Sequence, residues 1–176
     1  MSKPSPTLVL AWGNRARGDD ALGPLFADRL RALALPGVEV LEEHQLMPEH
    51  ALDLIGRESV LFVDASATAT PPFECHRVQA APAGWGLTTH AMAPAALLAV
   101  FERVNGGRPP PCFQLAIRGE HFGLGDALGS AAAAHLGAAL DWAVDWLAGE
   151  SEGPRDRRAF EKAGGDSEFQ TDARSS

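Results

Sequence analysis

The stretch "LAWGNRARGDDALGP" (residues 10–24) decides how the chain is read. An apolar run meets Gly13-Asn14, passes a basic loop, and reaches two adjacent aspartates, Asp19 and Asp20, before another glycine, Gly23. Upstream, "TLVLAW" (7–12) is rich in strand formers and closed by the Gly-Asn pair, which predicts a buried strand ending in a turn. Downstream, Leu22, Phe26, Leu30 and Leu33 recur at helical spacing, and Pro24 fits such a helix only in its first turn. A strand therefore hands over to a helix across a turn that holds two like charges side by side. Such a pair either lies in solvent at a helix start or receives something positive.

The same alternation continues outward. Pro36-Gly37 ends the first helix, and "VEVL" (38–41) opens a second strand. Pro48 begins an expected helix, "PEHALDLIGRE", followed by the strand "SVLFVDAS" (59–66). After "TATPPF" come an expected strand "ECHRVQA" (74–80), a helix "APAALLAVFERV" (93–104) and a strand "CFQLAIR" (112–118). The segment from Ser130 to Leu147 is a helix whose stripe runs through Leu136, Leu140, Val144 and Leu147. Trp142 and Trp146, four apart beside that stripe, read as packing residues. The pattern predicts an α/β fold: a single three-layer domain over 6–148, with a mostly parallel five-stranded sheet between helices. Residues 149–176 turn to Gly, Ser and mixed charge, and are expected to form a flexible polar tail.

Composition excludes several classes of function. A length of 176 residues with 45% hydrophobic content suits one globular domain. A net charge of -8 leaves no basic stripe to neutralise phosphates, so no nucleic acid is expected as a partner. The two cysteines, Cys75 and Cys112, have no CxxC spacing and read as buried thiols rather than metal ligands or nucleophiles. The start "MSKPSPT" has no apolar run behind a basic beginning, and no stretch approaches a membrane span. A cytoplasmic monomer with no membrane association is the expectation.

Ligands of open α/β sheets bind outside the carboxyl ends of the strands, which selects three residues. Asp20 follows the first strand. Asp64 ends the apolar run "LFVD", and His90 lies in the loop "GLTTHAMAP". Two carboxylates and an imidazole suit zinc, nickel, iron or manganese, and three protein ligands leave room for water or substrate. Helix capping is the competing account of the aspartate pair, and the better one for Asp19. A second group, "EEHQLMPEH" (42–50), offers Glu42, Glu43, His44, Glu49 and His50, but lacks the HExxH spacing. His50 and Glu49 read there as exposed first-turn residues. A nucleotide-binding reading is weaker, since "GNRARGDDALG" has neither G-x-G-x-x-G nor GK[ST] and its aspartates would repel phosphate.

These residues resemble a known family. "GNRARGDDALGP", the strand-end aspartate of "LFVDAS" and the histidine of "TTHAMAP" are similar, in order, to the hydrogenase maturation endopeptidases, with similarity continuing through "LAIRGEHFGLGDALG" and the final helix. The resemblance covers roughly residues 6–148, and its most specific piece is G-N-x-x-x-x-D-[DE]-x-x-G at 13–23. It implies an aspartyl-type endopeptidase that removes the carboxy-terminal extension of a [NiFe]-hydrogenase large-subunit precursor once nickel is inserted. It places the metal-binding and catalytic residues on Asp20, Asp64 and His90, with nickel supplied by the precursor as partner. The segment 42–50 stands where many members carry a glycine-rich turn, and looks like the branch serving soluble, NAD-reducing hydrogenases. A nickel-binding assembly chaperone without hydrolysis is the alternative.

Overall fold

The apolar run at 7–12 and its counterpart at 59–66 become neighbouring central strands. The structure, a computed structural model, describes residues 3–82 and 92–149, so His90 and all but the first residue of the expected tail lie outside the described residues. Its sheet has the order β2-β1-β3-β5-β4, with β1 at Thr7–Trp12, β2 at Val38–Glu43, β3 at Ser59–Ser66, β4 at Phe73–Val78 and β5 at Cys112–Arg118. β1 lies parallel to β2 and β3, and β3 parallel to β5. Strands covered on both faces need apolar side chains at every position, and Leu8 to Ala11 and Val60 to Val63 are all fully buried.

One face of the sheet carries α1 (Leu22–Ala32) and α3 (Ser130–Leu147). There Val9, Ala11, Leu61, Val63, Leu115 and Ile117 pack on Phe26, Leu30, Leu136 and Ala139. The other carries α2 (Pro94–Asn105) and a short 3-10 segment, Pro48–Leu54, where Leu8, Leu10, Val60 and Phe62 meet Leu54, Leu97 and Leu98. Trp142 and Trp146 stack 5.8 Å apart and reach Phe73 and Phe113 of the sheet, so they are packing residues as the spacing implied. Among the described residues no helix is long and apolar enough to cross a membrane.

Two elements differ from expectation. The helix anticipated from Pro48 stays a 3-10 segment, because Ile55 already takes an extended backbone (ψ 128°) to feed β3 at Ser59. The strand anticipated at 74–80 runs from Phe73 to Val78 and pairs antiparallel with β5. The connection of residues 67–72 is too short for the helical crossover that a parallel partner needs.

The sheet order creates the place where a site can form. From β1 the chain moves to one side for β2, then returns to the other side of β1 for β3. The carboxyl ends of β1 and β3 therefore flank a topological switch point, the crevice where open α/β sheets bind ligands. The first turn of α1 presses hard on β1 beside it: a Cβ on Gly23 would stand 2.1 Å from the Trp12 carbonyl oxygen. Gly23→Ala is expected to cost about 2 kcal/mol or more of stability, read as a lowered unfolding midpoint by circular dichroism, because backbone rather than a pliable side chain must move.

Candidate functional site

The loop after β1 is shaped by hydrogen bonds within itself. Gly13 has φ +149°, and a Cβ there would stand 2.1 Å from the Asp20 carbonyl oxygen, so the chain reverses only because the position is bare. The Asn14 amide donates to Oδ2 of Asp20 at 2.9 Å, and the Asn14 side-chain oxygen accepts from the Ala16 amide. Arg15 spans the outside, donating to both carboxylate oxygens of Asp28 on α1 and both of Glu42 on β2. Residues Gly18–Ala21 form a 3-10 turn that delivers the chain into α1.

Asp64 stands across the switch point. Alternation along β3 puts it in the row of Val60 and Phe62, facing the α2 side of the sheet, in register with Ala116 of β5. Its carboxyl is pushed up to about 7, first by burial and further by the negative charge of Asp20, against a lowering hydrogen bond from the Ala65 amide. Two of the three residues expected from the sequence are thus electrostatic neighbours, though 44 positions apart by their numbering, 20 against 64. A cation placed between them would relieve the repulsion that raises Asp64. Among the described residues no group of three or more His, Cys, Asp or Glu side chains is placed to hold a metal ion.

Asp19 is not a helix cap. The 3-10 turn has Arg17 at its cap position and no side-chain cap bond. Asp19 is instead 1% exposed, and its carboxylate takes three backbone N–H groups from the segment between β5 and α3. Oδ2 accepts from Glu120 (2.7 Å) and His121 (3.0 Å), Oδ1 accepts from Gly129 (2.8 Å), and the Asp19 amide donates to the His121 carbonyl at 2.7 Å. Burial alone would raise this carboxyl, yet the three donors, aided by His121, hold it below the usual carboxylate range. A short polar side chain after a turn reads as a cap from the sequence. The only signal for the other role was the glycine-bounded "RGEHFGLGDALG" that supplies the donors.

The remaining candidates fall outside this cluster. His50 is buried, not exposed: its Nδ1 accepts from the Met47 amide at 2.9 Å, closing the 3-10 segment on itself. A groove of about 370 Å³ runs between residues 13–16 and Glu42, Glu43 and His44, beside the Asp20 loop. A larger cavity of about 610 Å³ lies where β5 begins, near Arg77, Glu102 and Arg108, and contains none of the expected site residues. Burial pushes the thiols of Cys75 and Cys112 up to about 12, which suits packing and not nucleophilic attack.

The raised carboxyl of Asp64 has a stability consequence of definite sign. The folded state holds this proton more tightly than the unfolded chain, so stability falls as pH rises from the ordinary carboxylate range to about 7, and the penalty is complete above that. Asp64→Asn removes the penalty. The variant is expected to unfold at a higher temperature than the parent at pH 8, by up to a few kcal/mol at about 1.4 kcal/mol per tenfold in proton affinity. The gain should shrink steadily as pH is lowered towards 4, which paired thermal melts will test.

No family model and no curated protein matches the chain. Solved structures do. The [NiFe] hydrogenase maturation protease HycI from Thermococcus kodakarensis KOD1 superposes with a TM-score of 0.63 at 20% identity, covering 82% of this chain and 93% of its own. The hydrogenase maturating endopeptidase HybD from E. coli gives 0.61 at 20%, covering 90% and 93%. A hydrogenase 2 maturation peptidase from the Thaumarchaeota archaeon SCGC_AB-539-E09 gives 0.60 at 22%, covering 82% and 99%. The chain has the fold of the hydrogenase maturation proteases.

Proposed function

We propose that this protein is an endopeptidase that removes the carboxy-terminal extension of a nickel-loaded [NiFe]-hydrogenase large-subunit precursor. The observation that supports the reading is the electrostatic effect of Asp20 on Asp64 at the switch point, within a fold that the hydrogenase maturation proteases share. His90, outside the described residues, is the third expected ligand. The segment 42–50, whose Glu42, Glu43 and His44 line the groove beside the Asp20 loop, favours a soluble, NAD-reducing hydrogenase as the source of the precursor.

Nickel is cargo of the substrate in this reading. Two carboxylates that repel each other in the free protein gain a shared counter-charge only when the loaded precursor arrives, so an unloaded precursor binds poorly. Asp20, Asp64 and His90 then hold the nickel-bearing segment with the scissile peptide in register, and that restraint supplies much of the rate. A bound divalent ion polarises a carbonyl or water nearby. Asp64 must release its proton to take part, since a neutral carboxyl is a poor ligand for a cation.

Incubation with loaded precursor, and with the same precursor lacking nickel, tests the reading by mass spectrometry of the large subunit. Shortening of the loaded form alone is expected. Binding without shortening would support a nickel-binding chaperone instead, and equal shortening of both forms would remove nickel from recognition. Asp20→Ala, Asp64→Ala and His90→Ala should each abolish processing with the far-ultraviolet spectrum unchanged. In the wild type, kcat/KM should rise with pH through about 7 as Asp64 ionises.

A further inference from the structure

Asp19 is a buried carboxylate that the proposed chemistry does not use. It lies next to Asp20, yet its three acceptor bonds go to the segment after β5 and not to its own turn. The contact runs in both directions, because the Asp19 amide donates to the His121 carbonyl and the Gly125 amide donates to the Ala16 carbonyl at 2.7 Å. The segment is anchored on its other side as well. The Gly119 amide donates to the Ser66 carbonyl at 3.0 Å, two residues past Asp64, and Gly129 leads directly into α3. One carboxylate therefore fastens the turn that carries Asp20 to a segment tied to the strand end that carries Asp64.

We propose that Asp19 is a positioning residue: it latches the β1–α1 turn to residues 119–129 and so fixes the Asp20 carboxylate relative to Asp64. Its catalytic part rests on the endopeptidase reading above; its structural part does not. A site whose groups converge from separate loops needs such support, because a small misplacement of one ligand forfeits much of its contribution. A carboxylate suits the task better than a neutral side chain. Two acceptor oxygens meet three donors, and each bond to an ionised acceptor is stronger than a neutral one.

The Asn14 amide reports on the latch, since it is held by Oδ2 of Asp20 at 2.9 Å. Asp19→Asn keeps the shape but turns an NH2 group against at least one donor. Its Asn14 amide is expected to exchange with solvent about tenfold faster than in the wild type. Its kcat on the nickel-loaded precursor is expected to fall about tenfold with KM little changed. Leu54→Ala, a cavity in the opposite core, is the comparison that supplies a global loss of stability without touching the turn. Gly129→Pro, at a backbone whose φ of −66° a proline can adopt, replaces the donor to Asp19 Oδ1 with a ring carbon aimed at that oxygen, and so opens the latch from its other side with the Asp19 residue unchanged. It should move both readouts in the same direction, and it carries the test if Asp19→Asn does not fold. Exchange at Asn14 that rises, and kcat that falls, no further than in Leu54→Ala would overturn the proposal. Failure of the wild type to shorten loaded precursor would overturn the endopeptidase reading alone, while the Asn14 comparison still decides the latch.

Discussion

A buried carboxylate that accepts three backbone N–H groups is the constraint from which the geometry of the candidate site follows. Removing a charge from water costs several kcal/mol, and the attraction must be well made to offset it. Asp19 meets that condition, with acceptor distances of 2.7, 3.0 and 2.8 Å, and remains ionised more readily than an exposed aspartate. Its donors are main-chain groups, which cannot swing away as a lysine or arginine would. The turn after β1 is thereby fixed in relation to the segment after β5, and neither could take its present course alone.

Asp19 and Asp64 thus face opposite electrostatic circumstances. Asp19 is dry but fully partnered, which favours its charge. Asp64 is partly buried and poorly partnered, with Asp20 nearby, which disfavours its charge. The fold thus holds a latch that stays negative and, at the switch point, a pair with no counter-ion among the described residues. An arrangement of this kind spends stability on a local excess of negative charge, and the natural relief is a cation brought by another molecule. The chain's net charge of -8 supports the same direction at longer range, by favouring cationic over anionic approach.

Much of the fold was legible because hydrophobic periodicity reports burial. β3, β5 and α3 have the bounds read from "SVLFVDAS", "CFQLAIR" and the run from Ser130 to Leu147. The misread elements were those whose state depends on neighbours. The segment from Pro48 has helical residues but must release the chain to β3 at Ser59. The direction of β4 depends on connection length rather than on its own side chains. The location of Asp20 in the turn after β1 and of Asp64 near the end of β3 was legible because the apolar runs before them mark where those strands stop. Asp19 was misread because a cap and a long-range latch use the same residue type at the same place, and only the partners differ.

What the sequence determined by itself was local: where strands and helices fall, which face of each is apolar, and that one acidic group lies near the end of a central strand and another in the turn after its neighbour. Side-chain pattern along a single chain encodes that much, since period and turn residues act over a few positions. The tertiary structure decided what touches what across more than a hundred positions. It placed β3 on the far side of β1 from β2, brought the Asp64 carboxyl under the field of Asp20, and aimed the amides of Glu120, His121 and Gly129 at Asp19. Those relations are fixed by how packed layers close on one another, a property of the whole sheet and its helices that no short stretch contains.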